Sequence, residues 1–127
     1  MPVYQCSIPA ARLDDAKRQQ IASEITRIHC ECTGAPPDFA HVLFADAPGS
    51  AGSGASVLGT IRAGRPDALK KRMADALAEA VAKTLGEEPR LVRVQLLDVP
   101  ASWVMEGGAL LPEPGEEAEW LVRHGPS

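Results

Sequence analysis

Ile21-Ala22-Ser23-Glu24-Ile25-Thr26-Arg27-Ile28-His29-Cys30-Glu31-Cys32-Thr33-Gly34 is echoed 52 residues later by Met73-Ala74-Asp75-Ala76-Leu77-Ala78-Glu79-Ala80-Val81-Ala82-Lys83-Thr84-Leu85-Gly86. In the first copy Ile21, Ile25, Ile28 and Cys32 recur at i, i+4, i+7 and i+11, which lines up one face of a helix. Their counterparts Met73, Leu77, Ala80 and Thr84 repeat the stripe, weakly at the last position. Asp14 stands where an N-cap belongs for the first helix. Gly34 and Gly86 stand where a left-handed stop belongs, with Pro37 and Pro89 shortly after each.

Outward from the helices the same order holds in both halves. Short apolar strands are predicted before them, over Val3–Ile8 and Ala55–Ile61, and after them, over Phe39–Ala45 and Leu91–Leu97. With the shift of 52, residues 15–48 carry 8 identities over 34 positions, Pro37 with Pro89 and Asp46 with Asp98 among them. The Gly/Ser-rich run Ala47–Gly54 reads as the connector. A β-α-β unit of this size makes its two strands parallel through a right-handed crossover. Two such units share a four-stranded mixed sheet with both helices on one face, an α+β sandwich. The expected organisation is a single domain, with pseudo-repeats over residues 2–48 and 54–100 and an extension over 101–127. The extension reads as loops with a small hairpin or short helix against the sheet edge. The second face of the sheet has nothing to cover it, so burial in an oligomer is expected.

Composition narrows the class of function. The chain has 127 residues, 45% hydrophobic and 24% charged, with a net charge of −4. That is one globular domain's length, and the charge is the wrong sign for a general nucleic-acid binder. No stretch approaches the ~20 apolar residues of a membrane helix, and the start of the chain lacks the pattern of a secretory signal. Three cysteines at irregular spacing argue against a disulfide framework, and a cytoplasmic location is expected.

Several residues carry chemistry. Removal of Met1 leaves Pro2 as a secondary amine; burial lowers and a nearby carboxylate raises the pKa of such a group, in the range useful to a general acid or base. Position alone does not separate that role from a proline that merely permits Met1 removal. Arg62 and Arg65 flank Ala63-Gly64 at the entrance to the second helix, where two guanidinium forks beside a helix N-terminus suit a carboxylate. Solvated loop arginines are the plain alternative. His29 borders the apolar stripe and fits either a core-edge hydrogen bonder or a site residue. Cys30 and Cys32 would point about 200° apart on a helix, so no metal centre is expected of them. Glu106 precedes Gly107-Gly108, where a carboxylate can activate water or simply be solvated. Trp103 and Trp120 read as packing anchors.

Taken together, these residues resemble the tautomerase superfamily, and within it the cis-3-chloroacrylic acid dehalogenase branch. The stretches that carry the resemblance are Met-Pro-Val-Tyr at 1–4, Ile25-Thr26 with His29 and Thr33-Gly34, and Arg62-Ala63-Gly64-Arg65-Pro66-Asp67-Ala68-Leu69-Lys70. Pro100-Ala101, Val104-Met105-Glu106-Gly107-Gly108, Leu111-Pro112-Glu113-Pro114-Gly115 and Glu119-Trp120 continue it in order. The resemblance implies a tautomerase-type fold, a homotrimer, no cofactor, and a small carboxylate substrate. It implies that Pro2 moves the proton, that Arg62 and Arg65 hold and polarise the carboxylate with help from His29, and that Glu106 activates water in hydrolytic members. The dehalogenase pairs that glutamate with a tyrosine, and Gln95 stands at the matching position here, without a phenolic proton. The expected activity is therefore keto–enol tautomerisation of a small 2-oxo acid. The alternatives are hydration or dehalogenation of three-carbon unsaturated acids, decarboxylation of a malonate semialdehyde-type acid, and a non-catalytic small-ligand module.

Overall fold

Alternation in Val-Tyr-Gln-Cys-Ser buries Tyr4 and Cys6 and turns Gln5 outward in β1 (Val3–Ser7), one of the two inner strands of a four-stranded sheet. A computed structural model describes residues 2–47 and 54–124; the predicted connector over Ala47–Gly54 lies almost wholly outside the described residues. After β1 come α1 (Asp15–Thr33), β2 (His41–Ala45), β3 (Ser56–Arg62), α2 (Asp67–Leu85) and β4 (Arg93–Val99). The tail adds the strands β5 (Met105–Glu106) and β6 (Ala109–Leu110), paired as a hairpin, and the helix α3 (Glu117–His124).

The sheet order is β2-β1-β3-β4. β1 and β2 are parallel, β3 and β4 are parallel, and the two units meet through antiparallel β1 and β3. This is the expected mixed sheet. The strands after the helices start two residues later than the apolar runs suggested. Pro37 and Pro89 each open a one-turn 3-10 helix, Pro37–Phe39 and Pro89–Leu91, so Phe39 and Leu91 fall before the strands. A proline fixes φ and has no N–H to give a ladder, which suits a turn's first position.

The helix ends form as their residues dictate. Asp14 accepts from the Lys17 N–H, and Gly34 and Gly86 take φ of 75° and 74° at the two C-termini. The core lies between the helices and one sheet face: Tyr4, Cys6 and Ile8 of the first unit and Val57 and Ile61 of the second pack on Ile21, Ile25, Ile28, Leu77 and Val81. The stripe of α2 departs from the expected one. Ala80 and Thr84 are only half-buried, and Val81 and Ala82 are buried. Valine offers more apolar area than alanine, so the helix turns that edge inward.

The tail builds a satellite core from Phe39, Ala101 and Leu111 with Val99, Val104, Trp120 and Leu121. Trp120 meets Phe39 edge-on, at 5.6 Å between ring centroids. Trp103 corrects the expectation of an anchor: it is 77% exposed. Among the described residues, no helix covers the far sheet face. Leu43, Gln5, Leu58 and Gln95 form one row across it, and Leu97 stands in the next. Leu43, Leu58 and Leu97 remain 45%, 37% and 41% exposed.

Candidate active site

One end of the sheet gathers the starts of β1 and β2 and the ends of β3 and β4, because each crossover returns its second strand in the direction of the first. α1 runs back to this end and delivers His29; α2 starts from it, just after Arg62 and Arg65. The tail leaves β4 at the same end and brings the β5–β6 hairpin with Glu106.

Pro2 is buried at this end, and its carbonyl accepts from the His41 N–H at 3.0 Å. The His41 side chain on the edge strand β2 places Nε2 3.9 Å from Glu106 Oε1. His41 thus bonds Pro2 through its backbone and approaches Glu106 through its ring. His29 is 1% exposed, deeper than the border position its spacing suggested, because its Nδ1 is 2.8 Å from the hydroxyl of fully buried Tyr4. Burial, then the charges of Arg65 and Arg62, hold the imidazole down to about 3. It is neutral at ordinary pH, with one N–H.

The two arginines differ in their partners. Arg62 ends β3 and is 2% exposed. Its Nη1 donates to the Pro112 carbonyl and its Nη2 to Glu117 Oε1, both at 2.6 Å, and its guanidinium lies 5.9 Å from the Phe39 ring centroid. Burial alone would raise the Glu117 carboxyl; the hydrogen bonds it accepts from Arg62 and from backbone N–H groups, with the guanidinium charge, outweigh that and hold it below the usual range. Gly64 then takes a φ of 110°, a conformation glycine adopts freely, and the chain folds back so that Arg65 Nη1 donates to the Arg62 carbonyl at 3.0 Å. Burial and the neighbouring Arg62 charge lower the Arg65 pKa. Among the described residues, Arg65 Nη2 and His29 Nε2 are buried polar atoms with no hydrogen-bond partner. Buried polar atoms are rarely left so.

Five of the six residues singled out from the sequence therefore lie toward one end of the fold: Pro2, His29, Arg62, Arg65 and Glu106. Gln95 does not join them within one chain. It sits on β4, at the opposite sheet edge from β2 and its His41, three strand spacings or roughly 14 Å away. The sequence reading missed Tyr4, Glu117 and His41. A signal existed for Tyr4: it is the chain's single tyrosine, set in an alternating strand on the inward side, where a hydroxyl needs a partner. Glu117 meets Arg62 across 55 residues, and no local pattern announces such a pair. A surface groove of about 510 Å³ between α1 and α2, lined by Lys17, Gln20, Glu24 and Lys83, includes none of these residues.

No family model matches the sequence, and no curated protein does. Solved structures do. The chain is similar to N1, a member of the cis-3-chloroacrylic acid dehalogenase (cis-CaaD) family, with 30% identity, a TM-score of 0.87, and 94% of this chain and 90% of that one covered. It is similar to native Ps01740 at 38% identity and a TM-score of 0.75, over 82% of this chain and 99% of that one. Native fused 4-OT shares 25% identity with a TM-score of 0.77, over 85% and 94% of the two chains.

Proposed function

Since the chain belongs to the cis-3-chloroacrylic acid dehalogenase family of the tautomerase superfamily, we propose that it is a cofactor-free keto–enol tautomerase of small 2-oxo acids, with Pro2 as the group that moves the proton. The observation that carries this reading is the pair of buried polar nitrogens without a partner, Arg65 Nη2 and His29 Nε2, at the end of the sheet where Pro2 is buried. A carboxylate accepts from Arg65 Nη2, and from His29 Nε2 when that nitrogen carries the ring's hydrogen, and it also relieves the repulsion between Arg62 and Arg65.

With Met1 removed, the neutral Pro2 nitrogen takes the enol hydroxyl proton. The O–H electron pair becomes the second bond of the carbonyl, and the former C=C pair accepts the proton back from the prolinium at carbon. Arg65 and Arg62 stabilise the enolate-like charge as it develops. Their shares differ. Arg62 is partly neutralised by Glu117, whereas Arg65 keeps a free donor.

Hydration or dehalogenation of three-carbon unsaturated acids is the second reading. It is favoured by Glu106, whose carboxylate lies beside His41 at Pro2's end of the sheet and can activate a water. Gln95, at the opposite sheet edge from His41, stands away from that site within one chain.

The test uses protein shown by intact mass to lack Met1, assayed for ketonisation of phenylenolpyruvate. Pro2→Ala is expected to lower turnover by ~10²–10⁴-fold. Arg65→Ala is expected to cost roughly 2–5 kcal/mol with the acid and much less with its ester. Parent and Pro2→Ala protein of equal rate would refute the role of the amine.

A further inference from the structure

The reading above gives Tyr4 no task, yet the fold makes a place for it. Its ring is fully buried and meets His29 edge-on, at 5.7 Å between centroids and 73° between planes. Its row partner on β3 is Gly59, and a Cβ there would lie 2.6 Å from Tyr4 Cε1 and 2.9 Å from Leu96 Cδ2. Position 59 is thus kept bare so that the phenol can lie against the sheet and point its hydroxyl at α1.

The hydroxyl has one proton, and His29 Nδ1 at 2.8 Å is its partner among the described residues. If Nδ1 carried the imidazole's hydrogen, it would donate to the phenol oxygen, and the phenol's own proton would be left buried without an acceptor. Both groups are served only when Tyr4 donates to Nδ1, and the single N–H of the neutral ring then falls on Nε2. That nitrogen is the buried atom without a partner. The opposite tautomer would face a carboxylate with a lone pair.

We propose that Tyr4 is a positioning residue, whose hydrogen bond to Nδ1 fixes His29 in the tautomer that offers Nε2–H, beside Arg65 Nη2, to the substrate carboxylate. The proposal rests on the carboxylate-binding reading above. Burial also holds the Tyr4 hydroxyl well above its ordinary pKa, so it remains a donor at every working pH.

Tyr4→Phe keeps the ring and removes the hydroxyl, so the core volume is retained. The first measurement is the long-range proton–nitrogen spectrum of full-length protein labelled with ¹⁵N-histidine, at pH 7. The parent is expected to show His29 protonated at Nε2, and Tyr4→Phe a mixed or Nδ1-protonated ring. The second is phenylenolpyruvate ketonisation, where Tyr4→Phe is expected to raise KM roughly tenfold and leave kcat within about threefold. A parent ring protonated at Nδ1 overturns the proposal without need of the variant. So does a Tyr4→Phe protein with unchanged tautomer and unchanged KM. A parent with Nε2–H that neither binds phenylpyruvate nor turns over its enol overturns the carboxylate reading and the task of Nε2–H with it, while the Tyr4–His29 bond stands.

Discussion

His29 sets an acid limit on the fold. Well above pH 6.5 its imidazole is neutral in the folded and the unfolded chain alike. Below that value the unfolded chain takes up a proton that the folded chain refuses until about pH 3. Stability therefore falls as the pH drops from 6.5 towards 3, with a limiting slope on the order of 1 kcal/mol per pH unit. Glu117, held low in the folded chain, acts in the same direction but only as the pH falls below its ordinary 4.5. The window from pH 6.5 to 5 thus isolates the histidine. Urea unfolding at pH 7.5, 6.0 and 5.0 is expected to show the loss in the parent and a flatter profile in His29→Gln. Equal slopes in the two proteins would locate the acid sensitivity elsewhere.

At the scale of elements, α3 is tied down by a buried ion pair and by the packing of Trp120 and Leu121 in the satellite core rather than by its own helical propensity. An eight-residue helix is too short to be stable alone. Glu117 and Arg62 are 13% and 2% exposed in their side chains, and the bond between them joins the tail to the end of β3. Removing one partner of such a pair leaves a desolvated charge. Glu117→Ala is expected to destabilise the protein by roughly 3–5 kcal/mol in urea unfolding. Glu119 makes the contrasting case: its bond to Arg123, on the exposed face of the same helix, is between side chains 72% and 64% exposed. Glu119→Ala is expected to cost about 0.5 kcal/mol or less. Similar losses for the two variants would mean that the tail is not anchored through Arg62. The satellite core explains why the anchor forms there: Phe39 supplies an aromatic face to the Arg62 guanidinium and an edge contact to Trp120.

The whole molecule is unfinished on one side. A four-stranded sheet with helices on one face leaves Leu43, Leu58 and Leu97 on the other, and apolar rows of this kind are ordinarily covered. A trimer with the sheets inward is the arrangement we propose. Sedimentation equilibrium at micromolar concentration is expected to give three times the 13.4 kDa chain mass. Leu58→Arg, a charge at the middle of the row, is expected to shift the distribution to the single chain. A parent that sediments as a monomer would defeat the assembly.

The architecture was legible in the sequence because its determinants are local or periodic. The apolar spacing of Ile21, Ile25 and Ile28, the cap at Asp14, the glycine stops at 34 and 86 and the prolines after them act over a few residues each, and the 52-residue shift repeats them. That was enough for two β-α-β units and their mixed sheet. Side-chain type and position, with the family resemblance, made Pro2, His29, Arg62, Arg65 and Glu106 candidates for handling a carboxylate and a proton. What each of them does was decided only by contacts between distant parts of the chain. Arg62 and Arg65 look equivalent as two arginines separated by two residues, yet Glu117 occupies one and leaves the other a free donor. His29 is a stripe-edge histidine by spacing, and a buried, neutral ring because the fold closes Tyr4 over it and brings Arg65 and Arg62 near. Trp103 and Trp120 are alike in sequence, and only Trp120 finds Phe39. Periodicity tells which face of an element is buried, but not which partner stands opposite; that is set by how the two units and the tail close on one another.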